Sequence, residues 1–290
     1  MPVPPAARVS CRPIEAADLV AITDLLHAGF PKRPRHYWVD ALDRLTAREV
    51  PAGLPRYGYL LQSGGQPVGV LLLIFSAGAD GGGSSGRGNV SSWYVQPAFG
   101  PYAPLLVLRG IRHKVATYLN VSPAPETLRI IAAQGFRQYS EGVFAAVPWL
   151  VPARGGRVRR VSQRADGEAL GIPAADCRLL TDHTAFGCLG MWCETAAGGQ
   201  PLIVRRRLVK PGIPCAQLIY CRSLADLEAM AGPVGRFLAM RGMPLLLVAA
   251  NRPLRGVPGR FFAGKLPMYF KGTEPRPGDL SYTEAALLGL

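Results

Sequence analysis

The stretch VQPAFGPYAPLLVLRGI, Val95–Ile111, reads as the end of an apolar strand, a turn around Gly100 and an apolar-periodic helix. A strand that hands over to a helix leaves the first helical N–H groups without intrahelical partners. The helix dipole adds partial positive charge there, so such a corner can hold a phosphate. Prolines at 97, 101 and 104 crowd this one. With Gly100 as the cap and Pro101 as the first helical residue, whose missing N–H costs nothing, Gly100, Tyr102 and Ala103 keep free donors. With Ala103 as the cap and Pro104 first, the donors are Ala103, Leu105 and Leu106. Charge-assisted bonds of this kind are worth roughly 1.5–3 kcal/mol each before desolvation. The same residues also suffice for a plain crossover that binds nothing.

Upstream, VSCRPIEAADLVAITDLLHAGF (9–30) begins as a strand and turns helical, with Leu19, Ile22, Leu25 and Leu26 at helical spacing. PKRPRHYWVDALDRLTAREV (31–50) adds a basic turn and a second amphipathic helix carrying Trp38, Leu42 and Leu45 on one side. YGYLLQSGGQPVGVLLLIFS (57–76) has the pattern of a hairpin around Gly64–Gly65. In the glycine-serine stretch that follows, Gly81, Gly83 and Gly86 match G-x-G-x-x-G, but a strand, NVSSWYVQP, comes next where a dinucleotide site needs a helix; a hairpin loop is the reading. Downstream come a strand at 116–123, a helix at 126–134 closed by Gly135, and a strand at 136–147. The order is β-α-α-β-β-β-α-β-α-β, complete by Val151.

Residues 152–165 are basic, glycine-rich and without an apolar period, which marks a linker between residues 1–151 and 166–290. Beyond it, CLGMWCETAAGGQPLIVRRRLV (188–209) repeats the hairpin arrangement, and its GGQP matches that at 64–67. A strand (215–222), a helix (224–242), a strand (244–250) and closing strands at 265–272 and 279–288 follow. The second half reruns the first without its opening helices.

Lys plus Arg number 33 against 19 Asp plus Glu, a net +14 that favours anionic partners. The charge is scattered and no nucleic-acid module signature is present, so no specific nucleic-acid role is expected. Six cysteines, at 11, 177, 188, 193, 215 and 221, form no Cys-x-x-Cys pair, and no histidine stands at zinc-ligand spacing, so no metal site is expected. No secretory signal precedes Cys11, and MPLLLVAA (243–250) is too short to span a bilayer. A cytoplasmic protein with reduced thiols and no membrane association is the expectation, its oligomeric state open. RRR at 205–207 is expected on a solvated strand edge, and His113, beside Arg109 and Arg112, on a solvated face.

Taken in order, residues 9–147 resemble the GNAT superfamily of acyl-CoA-dependent N-acyltransferases. CRPIEAADLVAITDLL is similar to that family's first strand and helix, and QPVGVLLLIF to its third strand. WYVQPAF with the helix after it resembles the cofactor-binding strand and turn. ETLRIIAAQGFRQYSEGVF resembles the last helix, its Gly-Phe stop and the next strand. The second half is similar to a GNAT lobe more faintly. The resemblance implies an α/β (α+β) fold, a mixed and mostly antiparallel sheet flanked by helices in two tandem lobes. It also implies acetyl-CoA or another acyl-CoA as cofactor and a small-molecule or peptide amine as acceptor.

On that resemblance the cofactor contacts fall on Val95, Phe99, Gly100, Tyr102, Ala103, Leu105 and Arg109, with Val95 offering its main chain to the thioester oxygen. The family's turn is Arg/Gln-x-x-Gly-x-Gly/Ala, of which PAFGPYAPLL keeps only Gly100 and Ala103. The family's usual acid, a tyrosine four residues before the last-helix glycine, is here Ile131, and the Asn at that helix's start is Ala124. Tyr94 and Tyr102 are the remaining candidates to protonate a leaving thiolate. No carboxylate lies within NVSSWYVQP; His36, Glu141 and a water chain stay open as bases. PKRPRHYW would border the acceptor cleft. In the second lobe, Ser223 and Asp226 form a capping box whose acid repels phosphate, so this lobe is expected to bind no CoA and to shape the acceptor cleft. A catalytically silent ligand-binding or assembly module is the alternative.

Overall fold

The computed structural model describes residues 9–77, 86–153, 155–195, 198–209 and 212–289; Gly81 and Gly83 lie outside them. The first half runs β1 (Val9–Pro13), α1 (Leu19–Gly29), α2 (Arg35–Ala47), β2 (Gly58–Ser63), β3 (Gln66–Ser76), β4 (Arg87–Val95), α3 (Ala103–Gly110), β5 (Thr117–Asn120), α4 (Leu128–Ala133) and β6 (Arg137–Ala146), the order expected from the sequence. Gly64 and Gly65, at φ 57° and 81°, make the two-residue hairpin turn between paired Ser63 and Gln66. β3 reads as an unbroken apolar run because both its faces are covered. Val70, Leu72 and Ile74 pack with the α1 and α2 stripes, including Ile22, Leu26, Trp38 and Leu45, while Leu71, Leu73 and Phe75 pack with Leu106 and Val107 of α3.

The second half departs from the sequence reading in three places. Within the basic connector, Arg157–Arg160 forms strand β7, paired with β8 (Leu189–Thr195). Opening helices are present: α5 (Arg164–Ala169) and α6 (Ala174–Ala185). The buried face of α6 is Cys177, Leu179, Leu180 and His183, too small and polar a set to give an apolar period. After β9 (Gly198–Val209), β10 (Ile213–Cys221), α7 (Leu224–Ala229), α8 (Ala231–Ala239) and β11 (Leu245–Ala250) comes one long closing strand, β12 (Gly259–Gly272). The last stretch is no strand: Asp279 makes an isolated bridge to Tyr220, and Glu284–Leu287 forms the short helix α9.

All twelve strands join one sheet, in the order β1-β2-β3-β4-β5-β12-β6-β11-β10-β9-β8-β7. The halves are related by an exchange. β6, which ends the first half, pairs antiparallel with β11; β12, its counterpart in the second half, pairs antiparallel with β5. β6 and β12 pair with each other at the centre. One buried cluster spans both halves, joining α1 and α2 to Leu179 and Leu180 of α6 and to Ala285, Ala286, Leu287 and Leu288 of the C-terminal tail.

Candidate active site

β4 and β5 run parallel and pair over only three residues, Arg87–Asn89 with Thr117–Leu119. Beyond Asn89 the strands separate and the sheet splits. At the same point β4 slips against β3: Leu73 faces Val90 but Leu71 faces Trp93, so β4 carries an extra residue at Ser91–Ser92. A bulge of this kind re-aims side chains and leaves backbone groups out of the ladder. β4 ends at Val95, whose partner is Gly69.

The C-terminal tail delivers a carboxylate to the split. Ser91 Oγ donates to Glu284 Oε2 at 2.5 Å, and Ser122, just past β5, donates to Oε1. The Glu284 N–H donates to Asn89 Oδ1 at 2.7 Å, and the Asn89 amide donates in turn to the carbonyls of Leu119 and Val90 at 3.2 Å. Glu284 is 1% exposed. Burial pushes its carboxyl up to about 7, against the two hydroxyl donors that favour the charged form. The tail is tied on every side. Arg87 pairs with Asp279 at 2.9 Å and also bonds to Ser281; Arg44 of α2 donates to the Leu287 carbonyl at 3.0 Å; Arg205 of β9 donates to the Ala286 carbonyl. Trp93 Nε1 on β4, and Tyr37 Oη and Trp38 Nε1 on α2, are buried without a hydrogen-bond partner among the described residues. Burial raises the Tyr37 hydroxyl, opposed by Arg33 and reinforced by Glu284.

The turn after β4 takes neither of the two registers read from sequence. Pro97–Tyr102 is a 3₁₀ segment, and α3 begins at Ala103 with Tyr102 as its cap and Pro104 in its first turn. The Phe99 N–H donates to the Gln96 carbonyl at 2.8 Å and the Ala103 N–H to the Gly100 carbonyl. Ala103 is therefore no free donor, because a 3₁₀ turn ties each N–H to the carbonyl three residues back. The corner itself is open: Gly100, Tyr102, Leu105 and Arg109 are exposed, and a Cβ on Gly100 would meet no atom within 4 Å.

The two candidate tyrosines stand apart in kind. Tyr94 packs its ring over Gly29, where a Cβ would come within 2.3 Å of it, and against Phe30 at a centroid distance of 6.4 Å. Tyr102 is 43% exposed at the start of α3. Phe99 and Val95 pack on the α3 face of the sheet. Ile131 is core, 2% exposed. His113 is not on a solvated face: its Nε2 meets the Tyr59 hydroxyl at 2.8 Å, and its ring packs on Tyr59 and Phe75. Nor are all three arginines of 205–207 solvated, since β9 is an interior strand. Arg205 holds the tail, Arg207 donates to Gln217 Oε1 at 2.9 Å, and only Arg206 is exposed.

In the second lobe β10 and β11 pair in parallel over Cys215–Gln217 and Leu245–Leu247, and then split in the same way. Here the chain itself enters: the Cys221 N–H donates to Gly278 and the Leu280 N–H to Ile219. The helix start is capped, as its sequence suggests, with Ser223 Oγ accepting from the Asp226 N–H at 3.0 Å. A cavity of about 440 Å³ remains between Leu218, Ser223, Asn251 and Arg276. Among the described residues no cluster of His, Cys, Asp and Glu is placed to hold a metal ion, and no helix is long and apolar enough to cross a membrane.

No protein-family model and no curated protein matches the sequence. Solved structures do match the fold. A GCN5-related N-acetyltransferase from Anabaena variabilis is similar over 91% of this chain and 72% of its own, with a TM-score of 0.59 and 9% identity. One from Kribbella flavida matches over 91% and 71%, with a TM-score of 0.56 and 14% identity. Eis1 from Mycobacterium abscessus matches over 91% and 73%, with a TM-score of 0.51 and 12% identity. The likeness covers both halves and the mixed, mostly antiparallel sheet that joins them. The chain therefore has the fold of the GCN5-related N-acetyltransferases, in a two-lobed form.

Proposed function

We propose that this protein is an N-acyltransferase that moves an acyl group, acetyl in the simplest case, from a coenzyme A thioester to the amine of a small-molecule or peptide acceptor. One observation carries the reading: a sheet split at Asn89, with a bulge on one strand and a buried carboxylate, Glu284, bonded across it. The residues around the split suit a cofactor arm, since Trp93 Nε1 is a buried donor without a partner on β4. Gly100, Tyr102, Leu105 and Arg109 line the open corner and would meet the diphosphate; Val95, Phe99 and Ala103 would flank it. With one corner N–H already bonded, Arg109 carries more of that task than the family's glycine turn requires. The bound thioester would supply the activated carbonyl.

Acyl transfer to nitrogen needs a neutral amine and a proton for the departing thiolate. Glu284 is the carboxylate suited to take the amine's proton, because burial has raised it to about 7, near the working range of a general base. Tyr94, on the splitting strand, and Tyr102, at the corner, are the hydroxyls to return one. The alternative, a silent binding module, is favoured by the partly bonded corner and by Ile131 in the core.

The test is a melting scan with acetyl-CoA, longer acyl-CoAs and free CoA, followed by thiol release over an amine panel. A ligand at about 100 times its dissociation constant stabilises by ~2.7 kcal/mol, and that shift is expected. No shift at millimolar ligand would end the cofactor reading; a shift with background thiol release over the whole panel would favour the silent module.

A further inference from the structure

A cavity of about 800 Å³ lies between the lobes, walled by the end of α2, the end of β3, α6 and the tail. The residues bonded at the split do not line it, but two of its walls adjoin them. Ile74 on its wall pairs with Asn89, where β4 leaves β5, and Tyr282 and Leu287 on its floor bracket Glu284 in the chain.

Arg48, on the cavity wall, is 9% exposed. Its Nη1 donates to the Phe75 carbonyl at 2.5 Å and its Nη2 to the Arg56 carbonyl at 2.7 Å. Its Nε is buried with no partner, and no carboxylate pairs with it among the described residues. Burial, and then Arg56 beside it, lower its pKa to about 10. A buried guanidinium without an anion is costly, and an anion that reaches it recovers that cost. Two further arginines face the same space, Arg44 from α2 and Arg178 from α6. Against them stand Glu49, exposed at the rim, and Asp182, which accepts from the Tyr282 hydroxyl at 2.7 Å and is pushed toward neutrality by burial. Three cations and two carboxylates, one already bonded, leave the cavity positive.

We infer that this cavity binds the acidic group of the acceptor: the substrate is an amine that also carries a carboxylate or a phosphate, held by Arg48, Arg44 and Arg178. The amine then lies toward the tail residues Tyr282 and Leu287, between which Glu284 stands in the chain. The identification of the ligand as an acceptor rests on the acyltransferase reading; the anion preference of the cavity does not.

Binding without coenzyme A tests it. Calorimetry compares α-amino acids with their amides, and aminoalkyl phosphates with the matching amino alcohols. The acidic member of at least one pair is expected to bind about tenfold tighter or more, ~1.4 kcal/mol. Added salt should weaken the acid and leave the neutral partner unchanged. Arg178→Ala removes an exposed side chain on α6, so the fold should survive while the preference shrinks; Arg48→Lys should shrink it as well, with melting followed alongside. Equal affinity within both pairs, or no binding of any acid at millimolar concentration, overturns the inference. Preferential binding of acids by a protein that releases no thiol with any acyl-CoA keeps the inference and removes the enzyme reading.

Discussion

Glu284 and His183 place two titrating groups with opposite signs in one core. Burial raises Glu284 from 4.5 to about 7, so the folded protein keeps a proton that the unfolded chain releases, and this contribution to stability falls as pH rises through that interval. His183, whose Nδ1 meets the Leu179 carbonyl and whose Nε2 accepts from Tyr282, is lowered by burial from 6.5 to about 4; its contribution rises with pH. In wild type the two slopes oppose each other. Glu284→Gln should expose the rising one: its stability relative to wild type should grow by on the order of 3 kcal/mol from pH 4.5 to 7, read by urea unfolding. A constant difference would mean that Glu284 does not titrate there. At the corner, Gly100→Glu places its side chain in open space, so melting without ligand should stay unchanged. Affinity for acetyl-CoA should fall at least about tenfold, ~1.4 kcal/mol; unchanged affinity would move the diphosphate elsewhere. A turn at Gly100 is legible in the sequence because its glycine and prolines are local, although its 3₁₀ register is not. Glu284 is not, since Ser122, Ser91 and Asn89 lie 162, 193 and 195 residues away and no local spacing announces them.

The elements of the first half follow from periodicity, turn glycines and the stop at Gly135, all of which act within a few residues. The second half hides α6 behind small and polar buried residues, and it hides β12 behind FFAGKLPM, whose glycine and proline suggest a break. They fall where β12 leaves its pairing with β6, between Ala263 and Met268, and the strand continues beyond them. The tail reads as a strand from its apolar residues, but hydrogen bonds from Arg44 and Arg205 to its last carbonyls hold it as a short helix. Its strongest tie is Arg87 with Asp279, whose side chains are 12% and 7% exposed. Arg87→Ala takes away the buried cation and leaves that carboxylate with Ser281 and the longer, 3.9 Å pair to Arg276, and a loss of about 3 kcal/mol is expected in urea unfolding. Adding Asp279→Asn should recover part of it. A loss below ~1 kcal/mol would show that the pair is solvated.

At the scale of the whole chain, the lobes complete each other. Residues 1–151 contain β5 and β6 but not β12, which lies between them. Expressed alone, that half should be insoluble or expose strand edges that drive association, and supplying residues 152–290 in the same cell should rescue it. A soluble, monomeric, cooperatively melting half would show that β5 and β6 close on each other without help. The tandem arrangement is legible from the repeated order of elements; the repeated GGQP is no guide, since Gly64–Gly65 form a turn whereas Gly198–Pro201 lie in β9. The exchange is not, because β6 and β12 meet both neighbours through backbone pairing that leaves no mark on composition.

That exchange sets a timetable for synthesis. Lobe one cannot close when its own last residue leaves the ribosome; it waits for a strand encoded more than a hundred codons later. Until then the nascent chain carries two open ladders, and folding dominated by such distant contacts is slow and exposed to aggregation. Slowing translation between Val151 and β12 should therefore harm yield, whereas a self-contained first domain would tolerate a pause there.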